Sequence, residues 1–136
     1  MSFKILIAED EEITLKQLLS TLQKEGWEAA GVKDGNRAFQ EISSGHFDLL
    51  IADIKMPGLS GIEILDRMKG KNIATEVIII TGFGSIGSAV DAMRKGACDY
   101  ITKPFDLDEL ILKIKKIQEQ KNLKRENLAL KTFIGM

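Results

Sequence analysis

Cysteine is almost missing from this chain: Cys98 is the only one among 136 residues. That excludes an intrachain disulfide and a metal centre built from several thiolates. It fits a reducing cytoplasm, the expected location. Histidine is as scarce, and the lone His46 reads as a surface loop residue and not a ligand. Charge of one sign is missing too. The formal net charge is −1, so no global basic field is present to hold nucleic acid directly. No apolar run approaches the roughly 20 residues that span a bilayer. The start, "MSFKILIAEDEE", turns acidic without the apolar core of a secretion signal. There is no G-x-x-x-x-G-K-[ST] run, so the chain has no P-loop for hydrolysing ATP. What remains is 44% apolar and 29% charged residues, the balance of a globular domain. The length suits one domain with a little left over and a core that needs no staples.

Five short apolar runs alternate with helical patterns. The strands are expected at Lys4 to Ala8, Glu28 to Val32, Leu49 to Ala52, Val77 to Thr81 and Tyr100 to Thr102. Runs of Ile, Leu and Val without polar alternation suit strands covered on both faces, as in a parallel sheet. Between them, Leu15, Leu18, Leu19 and Leu22 make one apolar helix stripe. Further stripes are Ala38, Phe39 and Ile42; Ile62, Leu65 and Met68; and Ile86, Ala89, Val90 and Met93. The last is Leu107, Leu110, Ile111, Ile114 and Ile117, with Asp106 as N-cap and Glu109 placed for a capping box. The alternation predicts a doubly wound five-stranded parallel α/β sheet. Right-handed crossovers then gather every strand's carboxyl end on one edge, where ligands bind.

That edge is acidic. The first strand runs into Glu9 and Asp10, the third into Asp53, the fourth ends in Thr81, and the fifth runs into Lys103-Pro104. Carboxylates brought together repel, and a hard divalent cation relieves the repulsion. Mg²⁺ takes oxygen ligands and commonly binds one or two carboxylates plus phosphate oxygens. Glu9, Asp10 and Asp53 therefore read as a Mg²⁺ site, with Lys103 as a fixed cation and Thr81 as a hydroxyl donor. That set suits transfer of a phosphoryl group onto a carboxylate. Glu11 and Glu12 read instead as acids at a helix start, favoured there by the dipole. Pro104 after Lys103 suggests a cis peptide.

The stretch Gly82-Phe83-Gly84-Ser85-Ile86-Gly87 matches G-x-G-x-x-G after a strand and before a helix. A dinucleotide site also needs an acid at the end of the next strand, about 20 residues on. Here that strand ends in Thr102-Lys103, and the nearest acid, Asp99, precedes it. The glycines read either as a loosened loop that can follow Thr81 or as a tight turn. Trp27 is expected to pack near the second strand, Cys98 to fill a small buried space, and Met56, Met68 and Met93 to fill gaps.

The segments "ILIAEDEE", "LLIADIKMPGLSG", "VIIITGFGS" and "DYITKPF", in this order and spacing, resemble the receiver domain of bacterial response regulators. The resemblance spans about residues 3 to 120. It implies a flavodoxin-like (βα)5 fold with strand order 2-1-3-4-5. It implies that Asp53 accepts phosphate from a histidine kinase, in a two-component system. By the same resemblance Asp10 and Asp53 bind Mg²⁺ directly, Glu9 binds through water, and the Lys55 carbonyl completes the set. Thr81 and Lys103 contact the phosphoryl oxygens, and Tyr100 is the aromatic whose rotamer follows activation of the α4-β5-α5 surface. The first acid of the pair is Glu9 where the family often has aspartate. Lys55 and Phe83 occupy the positions that tune phosphoryl lifetime, and bulky Phe83 implies slow autodephosphorylation.

The stretch from Thr81 to Phe105 is especially similar to receivers of NtrC-type activators. In those a helical linker joins the receiver to an AAA+ ATPase that regulates transcription. On that reading residues 1–120 are the receiver and 121–136 a linker toward an output domain, with a homodimer paired through the extended last helix. Leu123 and Leu130 are seven apart there, as are Lys124 and Lys131, a short heptad signal. Two other functions stand beside this regulatory switch. One is a stand-alone receiver or phosphorelay intermediate. The other is a Mg²⁺-dependent phosphohydrolase, which commonly carries an acid where this chain has Lys55.

Overall fold

The computed structural model of the chain describes residues 3–82 and 86–134. The elements alternate as the apolar pattern requires: β1 (Lys4–Ala8), α1 (Glu12–Lys24), β2 (Glu28–Val32), α2 (Gly35–Ser44), β3 (Leu49–Asp53), α3 (Gly61–Lys69), β4 (Glu76–Thr81), α4 (Ile86–Arg94), β5 (Asp99–Thr102) and α5 (Leu107–Ile134). The strands form one parallel sheet in the order β2-β1-β3-β4-β5. The chain divides into two compact units, Met1–Phe105 and Asp106–Met136.

In the first unit the sheet's centre is buried on both faces. Leu6, Ala8, Leu50, Ala52, Val77 and Ile79 share a core cluster with Ala38 and Ile42 of α2, Ile64 and Leu65 of α3 and Ala92 of α4. Strand alternation sends Ile5, Ile7, Leu49, Ile51, Ile78 and Ile80 to the other face, and all of them are fully buried. The stripe Leu15, Leu18 and Leu22 of α1 is buried as well. The edge strands differ from the expectation of two covered faces. Of β2 only Ala29 and Val32 are even half-buried, and of β5 only Ile101 is fully buried. Each pairs on one side only, so short polar or small residues are tolerated there.

Local chemistry starts the helices. Asp34 caps α2 by accepting the Arg37 N–H at 2.7 Å. Ser60 and Glu63 form a reciprocal capping box at α3, at 3.2 and 3.1 Å. Glu11 and Glu12 lie at the start of α1, as their placement before the leucine stripe suggested. The Lys103-Pro104 peptide is cis, as its sequence context suggested.

In the second unit α5 is a single helix of 28 residues. Asp106 Oδ1 accepts the Asp108 N–H at 2.9 Å, a cap on the expected residue. Leu110, Ile114 and Ile117 are buried, whereas Leu112 and Leu123 are exposed. Among the described residues no helix is long and apolar enough to cross a membrane.

Candidate functional site

Register decides which residues meet. Ala8 pairs with Ala52 across β1 and β3, so Glu9 and Asp53, one residue on in each strand, leave the sheet side by side. Asp53 pairs with Ile80 across β3 and β4, and Thr81 pairs with Thr102 across β4 and β5. Thr81 and Lys103 are thereby brought to the same edge. The Lys103 N–H donates to the Thr81 carbonyl at 2.7 Å, which ties the two segments together.

The side chains converge as the topology requires. One carboxylate oxygen from each of Glu9, Asp10 and Asp53 lies within 4.8 Å of the others. Glu9 and Asp53 are buried and Asp10 is exposed. Lys103 Nζ bridges the buried pair, donating to Asp53 Oδ2 at 2.6 Å and to Glu9 Oε1 at 3.1 Å. The other oxygen of each acid accepts a backbone amide: Asp53 Oδ1 from Lys55 at 3.0 Å, Glu9 Oε2 from Glu11 at 3.3 Å. The lysine side chain is about one-third exposed, so it reaches the acids from the solvent side. Thr81 is fully buried, and among the described residues its Oγ1 is the buried side-chain polar atom left without a partner.

The electrostatics follow from burial and this crowding. Burial pushes the Glu9 carboxyl above its ordinary value. The hydrogen bonds from Lys103 and Glu11 oppose that rise, and the charge of Asp53 adds to it. For Lys103, burial pulls the ammonium down. The hydrogen bonds to Asp53 and Glu9 outweigh burial and leave its pKa above that of a free lysine. Three carboxylates against one ammonium leave two formal negative charges. An all-oxygen donor set with that residual charge fits Mg²⁺. Both oxygens of Glu9 and both of Asp53 accept hydrogen bonds from protein donors. The buried Thr81 hydroxyl has no hydrogen-bond partner among the described residues.

Every site residue read from the sequence is therefore at this edge except Tyr100. Its side chain, on β5, is partly exposed, and Val90 and Met93 of α4 are exposed to a similar degree. Phe83 and Gly84, assigned roles in shielding and loop motion, lie outside the described residues. At Gly82 and Gly87 an added Cβ would meet nothing within 4 Å, so packing does not demand glycine there. His46 is exposed, and Trp27 is buried. Cys98 is half-buried instead of fully buried, and its thiol donates to the Val77 carbonyl at 3.2 Å. Sequence reading missed the Lys103 bridge to Glu9, a contact across 94 residues that no local pattern signals.

Comparison with known proteins is consistent with this geometry. Residues 5–115 match the family model described as the response regulator receiver domain. The chain is 35% identical over 123 residues to the regulatory protein AtoC of Escherichia coli, covering 90% of this chain but 27% of that protein. The crystal structure of NtrX from Brucella abortus is similar with a TM-score of 0.85 and 36% identity, over 96% of this chain and 30% of that one. The receiver domain of a Francisella response regulator is similar with a TM-score of 0.84 and 29% identity, over 88% of this chain and 99% of that one. The chain thus spans under a third of the length of AtoC and of NtrX.

Proposed function

The chain belongs to the response regulator receiver domain family, a component of two-component signalling, and on that premise we propose that Asp53 is phosphorylated by a sensor histidine kinase with Mg²⁺. The observation that carries this is the meeting of Glu9, Asp10 and Asp53 within 4.8 Å, bridged by Lys103. An Asp53 oxygen attacks phosphorus as the phosphohistidine N–P bond breaks. The imidazole keeps the electron pair and takes up a proton. Glu9, Asp10, Asp53 and the Lys55 carbonyl would hold Mg²⁺, which supplies positive charge to the transferring oxygens. Lys103 exchanges its bond to Asp53 for one to a phosphoryl oxygen, so its charge is never left unpaired. The Thr81 hydroxyl donates to another.

That last bond makes the site a switch. Drawing in Thr81 biases the end of β4 and, through the α4–β5 face that carries Tyr100, the contacts offered to an output domain. The product is a stoichiometric acyl phosphate. With Lys55 where hydrolases commonly carry an acid, we read a switch and not a turnover enzyme. The output domain is a fused transcription-activating ATPase of the NtrC type in the cytoplasm. Support for that comes from AtoC and NtrX, both far longer than this chain.

The same reading includes a homodimer through the second half of α5. With Leu123 and Leu130 at d, Gln120, Asn127 and Ile134 fall at a. A parallel pairing then sets Glu119 opposite Lys124 of the second copy, and Glu126 opposite Lys131. Both pairs attract, and one Asn at an a position favours a single register. Sedimentation should show a dimer that Leu123→Glu with Leu130→Glu converts to a monomer. A monomeric wild type would overturn the pairing.

The test of the central reading is incubation with a small acyl phosphate donor and Mg²⁺, followed by intact-mass measurement. One phosphoryl group per chain is expected, and none after chelation of the metal. Continuous hydrolysis of phosphate esters without a labelled protein would contradict the switch.

A further inference from the structure

Asp53 is followed by a loop that itself serves the site. The Lys55 N–H holds Asp53 Oδ1, and the Lys55 carbonyl is the backbone ligand assigned above. Yet Lys55, Pro57 and Gly58 are exposed, and only Ile54 and Leu59 are buried. Ile54 and Leu59 anchor the loop's two ends in the core cluster and Met56 packs against it, while the backbone at Lys55, Pro57 and Gly58 has no such anchor.

The exposed stretch is braced by the first turn of α2. The Gly35 N–H donates to the Pro57 carbonyl at 2.9 Å. A Cβ at Gly35 would stand 1.7 Å from the Leu59 carbonyl oxygen, 2.5 Å from its carbon and 2.9 Å from its Cα. The contact is backbone on backbone, so no side chain can rotate out of the way. Gly35 is not among the positive-φ residues, so its conformation does not demand glycine. The close approach alone demands it. One residue along, a Cβ at Gly58 would stand 2.8 Å from Asn36 Nδ2. At the loop's far end the Gly61 N–H donates to the Ile54 carbonyl at 3.3 Å, and a Cβ there would stand 3.2 Å from the Asp53 carbonyl oxygen.

We infer that Gly35 is a positioning residue for the Mg²⁺ and phosphoryl site: its bare Cα lets α2 brace the β3–α3 loop and hold the Lys55 backbone against Asp53. The inference rests on the functional reading above. An alanine at 35 must drive the Leu59 carbonyl back by more than about 1 Å, a displacement large enough to misplace reacting groups. Because coupling is reciprocal, a metal ion held by the loop must also tighten the brace.

The test is calorimetric titration of Mg²⁺ into the full chain as wild type, Gly35→Ala and Val77→Ala. The last truncates the core at the start of β4, outside the β3–α3 loop, and lowers stability. Gly35→Ala is expected to weaken Mg²⁺ binding about 10- to 100-fold, the usual effect of losing a support behind a ligand. Val77→Ala should leave binding within about twofold of wild type. Folded Gly35→Ala with wild-type Mg²⁺ affinity overturns the inference, as does an equal loss in Val77→Ala. Amide exchange in the wild type gives a reading that does not depend on a variant folding. Mg²⁺ should slow exchange at the Gly35 N–H and leave the Gly26 N–H, in the turn after α1, unchanged. Equal Gly35 exchange with and without Mg²⁺ contradicts the brace. A wild type that binds no Mg²⁺ and takes no phosphoryl group overturns the functional reading itself.

Discussion

Asp48 and Asp53 flank the same buried strand, and both side chains are almost wholly removed from solvent. Asp48 lies just before β3, at the amino edge of the sheet. Its Oδ2 accepts the Lys4 N–H at 2.9 Å, its own N–H donates to the Lys4 carbonyl, and its carbonyl accepts the Glu76 N–H. Those partners belong to the backbone and join three strands. Asp53 closes β3 at the carboxyl edge. It shares a lysine ammonium with a second buried acid, stands beside a third carboxylate, and neighbours a strand that ends in an unpartnered hydroxyl. The Asp48 carboxylate meets a fixed backbone amide. That of Asp53, besides its amide from Lys55, is held by a cation able to change partners and is surrounded by like charge that a further cation can balance.

Substitution should separate the two most clearly. Asp53→Asn is expected to abolish phosphoryl labelling and to leave the fold intact, because it removes like-charge repulsion and keeps an acceptor. Asp48→Ala should do the reverse. It leaves the Lys4 amide unmatched at a cost of about 1–3 kcal/mol of stability, with labelling unchanged. Denaturant titration and intact mass on both variants check the pair. Lys103→Ala comes next. Loss of the cation should slow labelling by about 10²–10³-fold in a time course with saturating donor.

Thr81→Val sharpens the contrast from the other side. It removes an orphaned hydroxyl at nearly constant shape. Stability should stay equal or rise by up to about 1 kcal/mol. Labelling should persist, while the phosphorylation-induced shift at Tyr100, followed by NMR, is lost. The smallest effect concerns Cys98. Burial, with the nearby charges of Glu76 and Asp99, pushes its thiol up to about 12. A native-state pKa above the ordinary value of about 8.5 stabilises the fold fully below pH 8.5. That contribution is lost as pH climbs toward 12. Alkylation at pH 8 should therefore be far slower than in the unfolded chain, as timed mass spectra would show.

Much of this was legible in the sequence, for physical reasons. β1, β3 and β4 are buried on both faces, so they announce themselves as unbroken apolar runs. β1 and β4 run directly into or end on a site residue, and Asp53 ends β3, so once the order of the strands is known the site assembles itself. β2 and β5 are edge strands, and their exposure could not be read from short runs alone. Nor could two contacts between distant segments: Lys103 with Glu9, and Gly35 with Leu59. Asp34 caps α2, and nothing in the local sequence says why a glycine follows it. That the glycine exists for a backbone two elements away requires the fold.

The central claim is that Asp53 carries the phosphoryl group, and chemical trapping tests it most directly. The chain is labelled with an acyl phosphate donor and Mg²⁺, reduced with borohydride and digested. Reduction converts a phosphoaspartate to homoserine, which peptide mass spectrometry locates. The account expects homoserine at position 53 alone, and none when Mg²⁺ is withheld. Homoserine at another aspartate, or an unmodified Asp53 in protein shown to be labelled, would contradict it.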